Sequence, residues 1–257
     1  MSYRQIPGCS QLRILLGLAV LMPWWTAVAS EAPEAPEKRE PPPPRAAVDD
    51  EASPEPTWYA MALGRLGGRP AVGHFWAKGS KLRAETVIFG RPIQTLVDEK
   101  YYYTIDVLDR TGLAIQRSPR SVEQDPDRRR PFALEWEDMF EAGGEKVGSE
   151  GSGSEEAEIW RLTNVSGRQT VWVSANEQRL LLRVETYDRE SSATDRVEYV
   201  NWQTGLAIPD SFFHPGSDVR IRRMEYGKYI QAARKGPVGP APPLYRYLLH
   251  GRRKPTE

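Results

Sequence analysis

Residues 81–89 read Lys81-Leu82-Arg83-Ala84-Glu85-Thr86-Val87-Ile88-Phe89, and this stretch decides the fold class. Leu82, Ala84, Thr86 and Ile88 lie on one side of an extended chain; Lys81, Arg83 and Glu85 lie on the other. A period of two in hydrophobicity describes a half-buried β-strand. Gly90-Arg91-Pro92 breaks it. Beyond the break, 93–97 and 101–107 predict two more strands parted by a turn at Asp98-Glu99-Lys100, and 112–117 predicts a further one. On the N-terminal side, 71–77 and the apolar 58–63 predict strands joined within 65–70, where Gly67-Gly68 supplies a hairpin turn.

The meander then stops. Residues 118–130 are polar and charged, and Asp125-Pro126-Asp127 followed by Arg128, Arg129 and Arg130 predicts a mobile loop. Pro131 suits the first position of a helix. Residues 131–141 carry Phe132, Leu134, Trp136, Met139 and Phe140, a density of bulky apolar side chains that the flanks lack. Residues 143–155 are a Gly/Ser/Glu loop by composition. Strands are predicted again at 157–163, 169–174, 180–187 and 195–202, then a helical turn at Asp210-Ser211-Phe212-Phe213 and a short strand at 219–221. About ten strands with regular turns imply a large antiparallel sheet. A sheet that long curls, closes or splits. A curled sheet has a concave face, and the 131–141 helix is suited to cover it.

Of 257 residues, 39% are hydrophobic and 27% charged, enough for a core. Thirty-five Lys and Arg balance thirty-five Asp and Glu, which excludes a globally basic protein that coats nucleic acid. Cys9 is the one cysteine, so neither a disulfide framework nor a Cys-based zinc site is expected. His74, His214 and His250 are scattered, and no metal or cofactor is expected.

The ends differ from the body. Arg4 and Arg13, the apolar run 14–22 and Ala27-Val28-Ala29 predict a signal peptide over 1–29, cleaved before Ser30. The run is short for a membrane span, which needs roughly 20 apolar residues. Cys9 precedes the run, so lipidation at the cleavage point is not expected. Residues 30–57 are acidic and crowded with proline, a semi-rigid spacer too poor in apolar residues to fold. The folded domain is expected over 58–226 and a basic tail over 227–257. The tail carries Arg234, Lys235, Arg246, Arg252, Arg253 and Lys254 around the cluster Leu244-Tyr245-Arg246-Tyr247-Leu248-Leu249. Such a tail is either a solvated charge run or a dock for an anionic membrane surface or an envelope protein.

Catalytic constellations are missing: no G-x-S-x-G, H-E-x-x-H or P-loop occurs. Glu135-Trp136-Glu137-Asp138 fits a solvated helix face, or a place near the helix N-terminus where the dipole favours carboxylates, better than an acid–base pair. Asn164-Val165-Ser166 matches the glycosylation sequon by chance. The chain is not expected to be an enzyme.

Several stretches resemble the LolA family of periplasmic lipoprotein carriers. Gly73-His74-Phe75-Trp76-Ala77-Lys78 and Leu82-Arg83-Ala84-Glu85 resemble its early strands. Thr95-Leu96-Val97-Asp98 followed by Tyr101-Tyr102-Tyr103 resembles its hydrophobic strand, acidic turn and aromatic strand. Arg130-Pro131-Phe132-Ala133-Leu134 looks like the start of its lid helix. Val171-Trp172-Val173, residues 182–188 and Pro209-Asp210-Ser211-Phe212-Phe213 look like its last strands and closing turn. The resemblance spans roughly 58–221. It implies a mainly β fold, an unclosed antiparallel half-barrel with a helical lid over an apolar cavity, and a periplasmic protein of a Gram-negative bacterium. It also implies a ligand, the acyl chain of a lipid or lipoprotein, to be moved or sensed; related domains of the RseB type regulate envelope stress.

The sequence departs from the family twice. The spacer runs straight into Trp58, leaving no place for the family's opening amphipathic helix. The turn after the early Trp strand is Gly79-Ser80-Lys81, where the family places an arginine that holds the lid shut, and Lys81 lacks the planar guanidinium fork.

Candidate cavity and lid residues are Phe75, Trp76, Tyr102, Trp160, Trp172 and Trp202 on strands, with Phe132, Trp136, Met139 and Phe140 on the helix. Alternation turns only half of each strand inward. An aromatic concave face suits an apolar ligand. The competing reading is an interaction module with a filled core and a partner-binding tail. The volume of the inward side chains separates the two.

Overall fold

The computed structural model describes residues 55–66, 69–88 and 90–252. The expected signal peptide, nearly all of the spacer and the place of the family's opening helix lie outside them, as do Gly67-Gly68 and residues 253–257.

Six strands pair in sequence: β1 (Thr57–Leu66), β2 (Arg69–Lys78), β3 (Lys81–Ile88), β4 (Arg91–Val97), β5 (Tyr101–Asp106) and β6 (Thr111–Gln116). Helices α1 (Pro119–Glu123) and α2 (Glu135–Glu141) interrupt the chain. A second meander follows: β7 (Glu145–Glu150), β8 (Ala157–Thr163), β9 (Gly167–Ser174), β10 (Leu181–Asp188) and β11 (Ala193–Thr204). β11 returns to pair with β1 and joins the two meanders into one sheet. β12 (Arg220–Met224) adds at the far edge, parallel to β6, the one departure from antiparallel pairing among the described strands. The resulting order is β12-β6-β5-β4-β3-β2-β1-β11-β10-β9-β8-β7, and the two end strands do not meet. The sheet is open, as the class read from the sequence requires.

Twelve strands form where about ten were expected. β7 takes the place of the loop expected at 143–155. All six of its residues are exposed, and Glu145-Lys146-Val147-Gly148-Ser149-Glu150 has no apolar alternation to announce it. It is an edge strand held by backbone pairing to β8. Asn164 explains itself without a glycan. Its Oδ1 accepts from the N–H groups of Ser166 and Gly167 at 3.0 and 3.1 Å, closing the β8–β9 turn.

The helical insertion differs more. Pro131 does not start the helix; Ala133 has φ +54°, in the left-handed region, so 131–134 is irregular and α2 begins at Glu135. A first-turn proline occurs instead at Pro119 in α1, where Ser118 Oγ accepts from the Ser121 N–H at 3.1 Å. The 125–130 segment is not a free loop. Buried Arg117 and half-buried Arg128 both bind Asp125.

The tail expected at 227–257 is folded through residue 252. Helices α3 (Tyr226–Ala233) and α4 (Arg246–His250) pack on the sheet, and Leu248 and Leu249 are 0% exposed. Its apolar cluster was large enough to be core, and the sheet had a face to receive it.

One core cluster gathers Ala60, Phe75, Leu82, Val97, Tyr102 and Ile115 from the first meander with Val171, Leu181 and Val184 from the second. Side chains from both ends of a long sheet meet in one cluster only if the sheet curls. This curled face is the concave side of the half-barrel.

Candidate functional site

The concave face positions most of the residues that the sequence singled out. Phe75 on β2 stacks on Phe132 at 5.3 Å between centroids, and Phe132 stacks on Trp202 of β11 at 5.5 Å. Trp202 meets Trp58 edge-on and donates from Nε1 to the Leu181 carbonyl at 2.9 Å. Tyr102 is fully buried on β5. Around the lid, Trp136 and Phe140 of α2 flank Trp160 of β8 at 6.0 and 5.7 Å, and Met139 is buried beneath them. Phe140 remains mostly exposed.

Two candidates point elsewhere. Trp76 follows inward Phe75, so the pleat turns it to the convex face, where it packs against Tyr59, His74 and Phe212. Trp172 follows inward Val171, and its Nε1 donates to Glu150 at 3.0 Å with the Arg183 guanidinium over its ring. Neither lines the concave face. The sequence lacked a register to separate the two sets of aromatics.

The concave face is filled by the chain itself. Tyr245, just before α4, packs edge-on against Phe75 at 6.0 Å, and its backbone N–H donates to Tyr102 Oη at 3.1 Å. Tyr247 Oη donates to the Pro131 carbonyl at 2.8 Å. Leu248 and Leu249 belong to the core cluster itself. Arg117 fastens this segment from below, donating from Nε to the Leu248 carbonyl at 2.8 Å, and the Ser118 N–H donates to the Leu249 carbonyl at 3.0 Å. Arg252 Nη1 pairs with Asp138 on α2 at 2.8 Å and joins the end of the segment to the lid.

A second fastening lies under α2. Arg130 is 1% exposed and donates to the Ala133 and Arg179 carbonyls at 2.9 and 3.3 Å. Its guanidinium faces the rings of Trp202 and Trp58 at 5.3 and 5.8 Å and Glu137 at 3.5 Å. Lys81 does other work: with Lys78 it binds Asp210 and ties the 3-10 turn Asp210–Phe213 to the convex face of β2 and β3. Those two ammonium groups hold the Asp210 carboxyl down at about 2.

The acidic cluster is not a solvated face throughout. Burial pushes the Glu135 carboxyl up, although Tyr199 Oη donates to it at 3.3 Å. Burial likewise raises Glu137, against the pull of Arg130. Both carboxyls lie in the first turn of α2 because the helix starts at Glu135 and not at Pro131. Among the described residues, no group of three or more His, Cys, Asp or Glu is placed to hold a metal ion, and no helix is long and apolar enough to cross a membrane.

Reading the sequence missed Arg117 and Tyr199, and it named Arg130, Tyr245 and Tyr247 without placing them against the concave face. Arginines in a charged run carry no mark of burial, and the tyrosines of the tail sit among basic residues.

The class is thus an open antiparallel half-barrel, closed over its concave face by a lid and by its own C-terminal segment. No family model and no curated protein matches the chain. Solved structures similar to it include an uncharacterized conserved protein from Thermus thermophilus, at 11% identity and TM-score 0.47, over 65% of this chain and 90% of that one. The MucA/MucB complex of Pseudomonas aeruginosa is similar at 12% identity and TM-score 0.40, over 66% of this chain and 59% of that one. A putative outer membrane lipoprotein-sorting protein domain from Vibrio parahaemolyticus is similar at 10% identity and TM-score 0.30, over 64% and 91%.

Proposed function

We propose that this chain is a non-enzymatic interaction module of the bacterial envelope, exported by its N-terminal segment, whose half-barrel is a scaffold for binding a protein partner. One observation carries the reading: Phe132, Tyr245, Leu248 and Leu249 occupy the concave face where a carrier of this fold would hold an acyl chain. An acyl chain could enter the cup only after 245–249 left it. That departure exposes two fully buried leucines and breaks the bonds to Arg117, Ser118 and Tyr102. Fully burying one leucine is worth about 1.5–3 kcal/mol, so the closed state is strongly preferred.

The test is native mass spectrometry of the mature protein purified from a periplasm without detergent. The expected result is the clean protein mass, with no uptake of added acylated peptide. A co-purifying adduct of lipid mass would overturn the reading and restore acyl-chain transport or sensing in the cup.

A further inference from the structure

Two clefts flank α3 and α4 on the outside of the half-barrel. One, of about 520 Å³, has an apolar floor of Ile230, Ala233, Val238 and Pro243, with Arg234 and Arg246 in its wall. This volume lies within the roughly 300–1,000 Å³ of ordinary ligand sites. The other, of about 860 Å³, is more polar and is lined by Ser118, Arg120 and Tyr247. They meet at Ile230, Arg246 and His250, which line both. No aspartate or glutamate lines either cleft. Among the described residues, Arg234 and Arg246 form no ion pair and line the clefts with their charges uncompensated.

An elongated concave site with an apolar floor, cationic walls and no acid selects a ligand of complementary chemistry. We infer that this double cleft binds an extended acidic peptide segment of a partner protein, with an aliphatic or aromatic anchor over Ile230 and Val238 and carboxylates against Arg246 and Arg234. This deepens the interaction-module reading and rests on it. A flat bilayer surface does not fit as well, because Arg246 lies where two concavities join and not on a convex face. His250, at the junction, is already engaged within the protein. Its Nδ1 is engaged by Tyr226 Oη at 3.0 Å, and burial together with Arg246 holds its pKa below the ordinary value.

The test pans the full mature chain against a random-peptide display library, then measures the enriched peptides by fluorescence anisotropy. The expected result is enrichment of sequences rich in Asp and Glu around a bulky apolar residue. Their affinity should fall at least about tenfold in Arg246→Glu and in Arg234→Glu, and weaken as salt rises. Arg246 and Arg234 are exposed, and thermal melts matching the parent would show that both variants fold. Enrichment without acidic bias, or affinity unchanged in both variants, would overturn the site. So would saturable binding of dodecanoate or of phosphatidylglycerol vesicles with no peptide binding. These results are distinct from failure of the interaction-module reading, which shows as an acyl adduct in the cup and persists in Arg246→Glu.

Discussion

Arg117 donates from Nε to the carbonyl of Leu248 at 2.8 Å, across 131 residues of sequence. The same guanidinium reaches both oxygens of Asp125, at 2.8 and 2.6 Å, and the Asp98 carbonyl at 2.9 Å. One buried cation therefore binds the β4–β5 turn, the α1 loop and the segment that fills the cup. Arg117→Ala should cost about 3 kcal/mol, the low end of the range for breaking a buried pair, because Arg128 still partners Asp125. Hydrogen exchange should rise at Leu248 and Gly251, whose N–H groups close α4. Unchanged protection there would show that Arg117 does not hold the segment.

Tyr102 tests the same closure from the opposite wall. Its Oη accepts the Tyr245 N–H in a fully buried place. Tyr102→Phe leaves that donor without its acceptor and should cost about 1–3 kcal/mol by urea denaturation. Phe132→Ala, which opens a void between Phe75 and Trp202, should cost about 3–5 kcal/mol. If Phe132→Ala costs under about 1 kcal/mol, the cup is loosely filled and the argument against an acyl ligand weakens.

Where side chains alternate, the sequence was legible. Residues 81–88 form a strand whose Leu82 and Ala84 are buried, and the hairpin turns fell where Gly, Asn and Asp cluster. β7 was not legible because its order comes from backbone pairing at an edge and not from its own side chains. The C-terminal segment was read by net charge. Tyr245, Leu248 and Leu249 bury while Arg246 points outward, an amphipathic pattern too short to outweigh the surrounding arginines. For the site, the aromatics were identifiable but their faces were not: Phe75 and Trp76 are neighbours in sequence and lie on opposite sides of the sheet.

The lid carries a pH dependence with a definite sign. Burial raises the Glu135 carboxyl above its unfolded value, so the folded state holds its proton more tightly than the unfolded state. Stability contributed through this group is lost as pH rises through the folded pKa. Glu135→Gln removes that penalty while still accepting from Tyr199. The variant should be more stable than the parent at pH 7, with the gap closing as pH falls to about 4.3, where the unfolded glutamate protonates. Paired thermal melts across that window check it. A gap that widens toward acid would mean that Glu135 is stabilised as a carboxylate.

Arg130 and Glu137 test whether the buried charge under α2 stabilises the fold or only fixes the position of the lid. The guanidinium is 1% exposed, and its Nε and Nη1 atoms have no hydrogen-bond partner among the described residues. The Glu137 carboxyl 3.5 Å from Nη2 is raised by burial despite that neighbour. Removing one member of such a pair leaves the other charge buried, so Arg130→Met should cost about 3–5 kcal/mol alone. Neutralising both removes two desolvation costs together, and the thioether still packs against Trp58 and Trp202. The double variant Arg130→Met with Glu137→Gln should recover most of the loss. A double-mutant cycle by urea denaturation measures this directly. Additive losses would show that Arg130 acts through its carbonyl bonds to Ala133 and Arg179, as a clasp on the 131–134 run, and not through its charge.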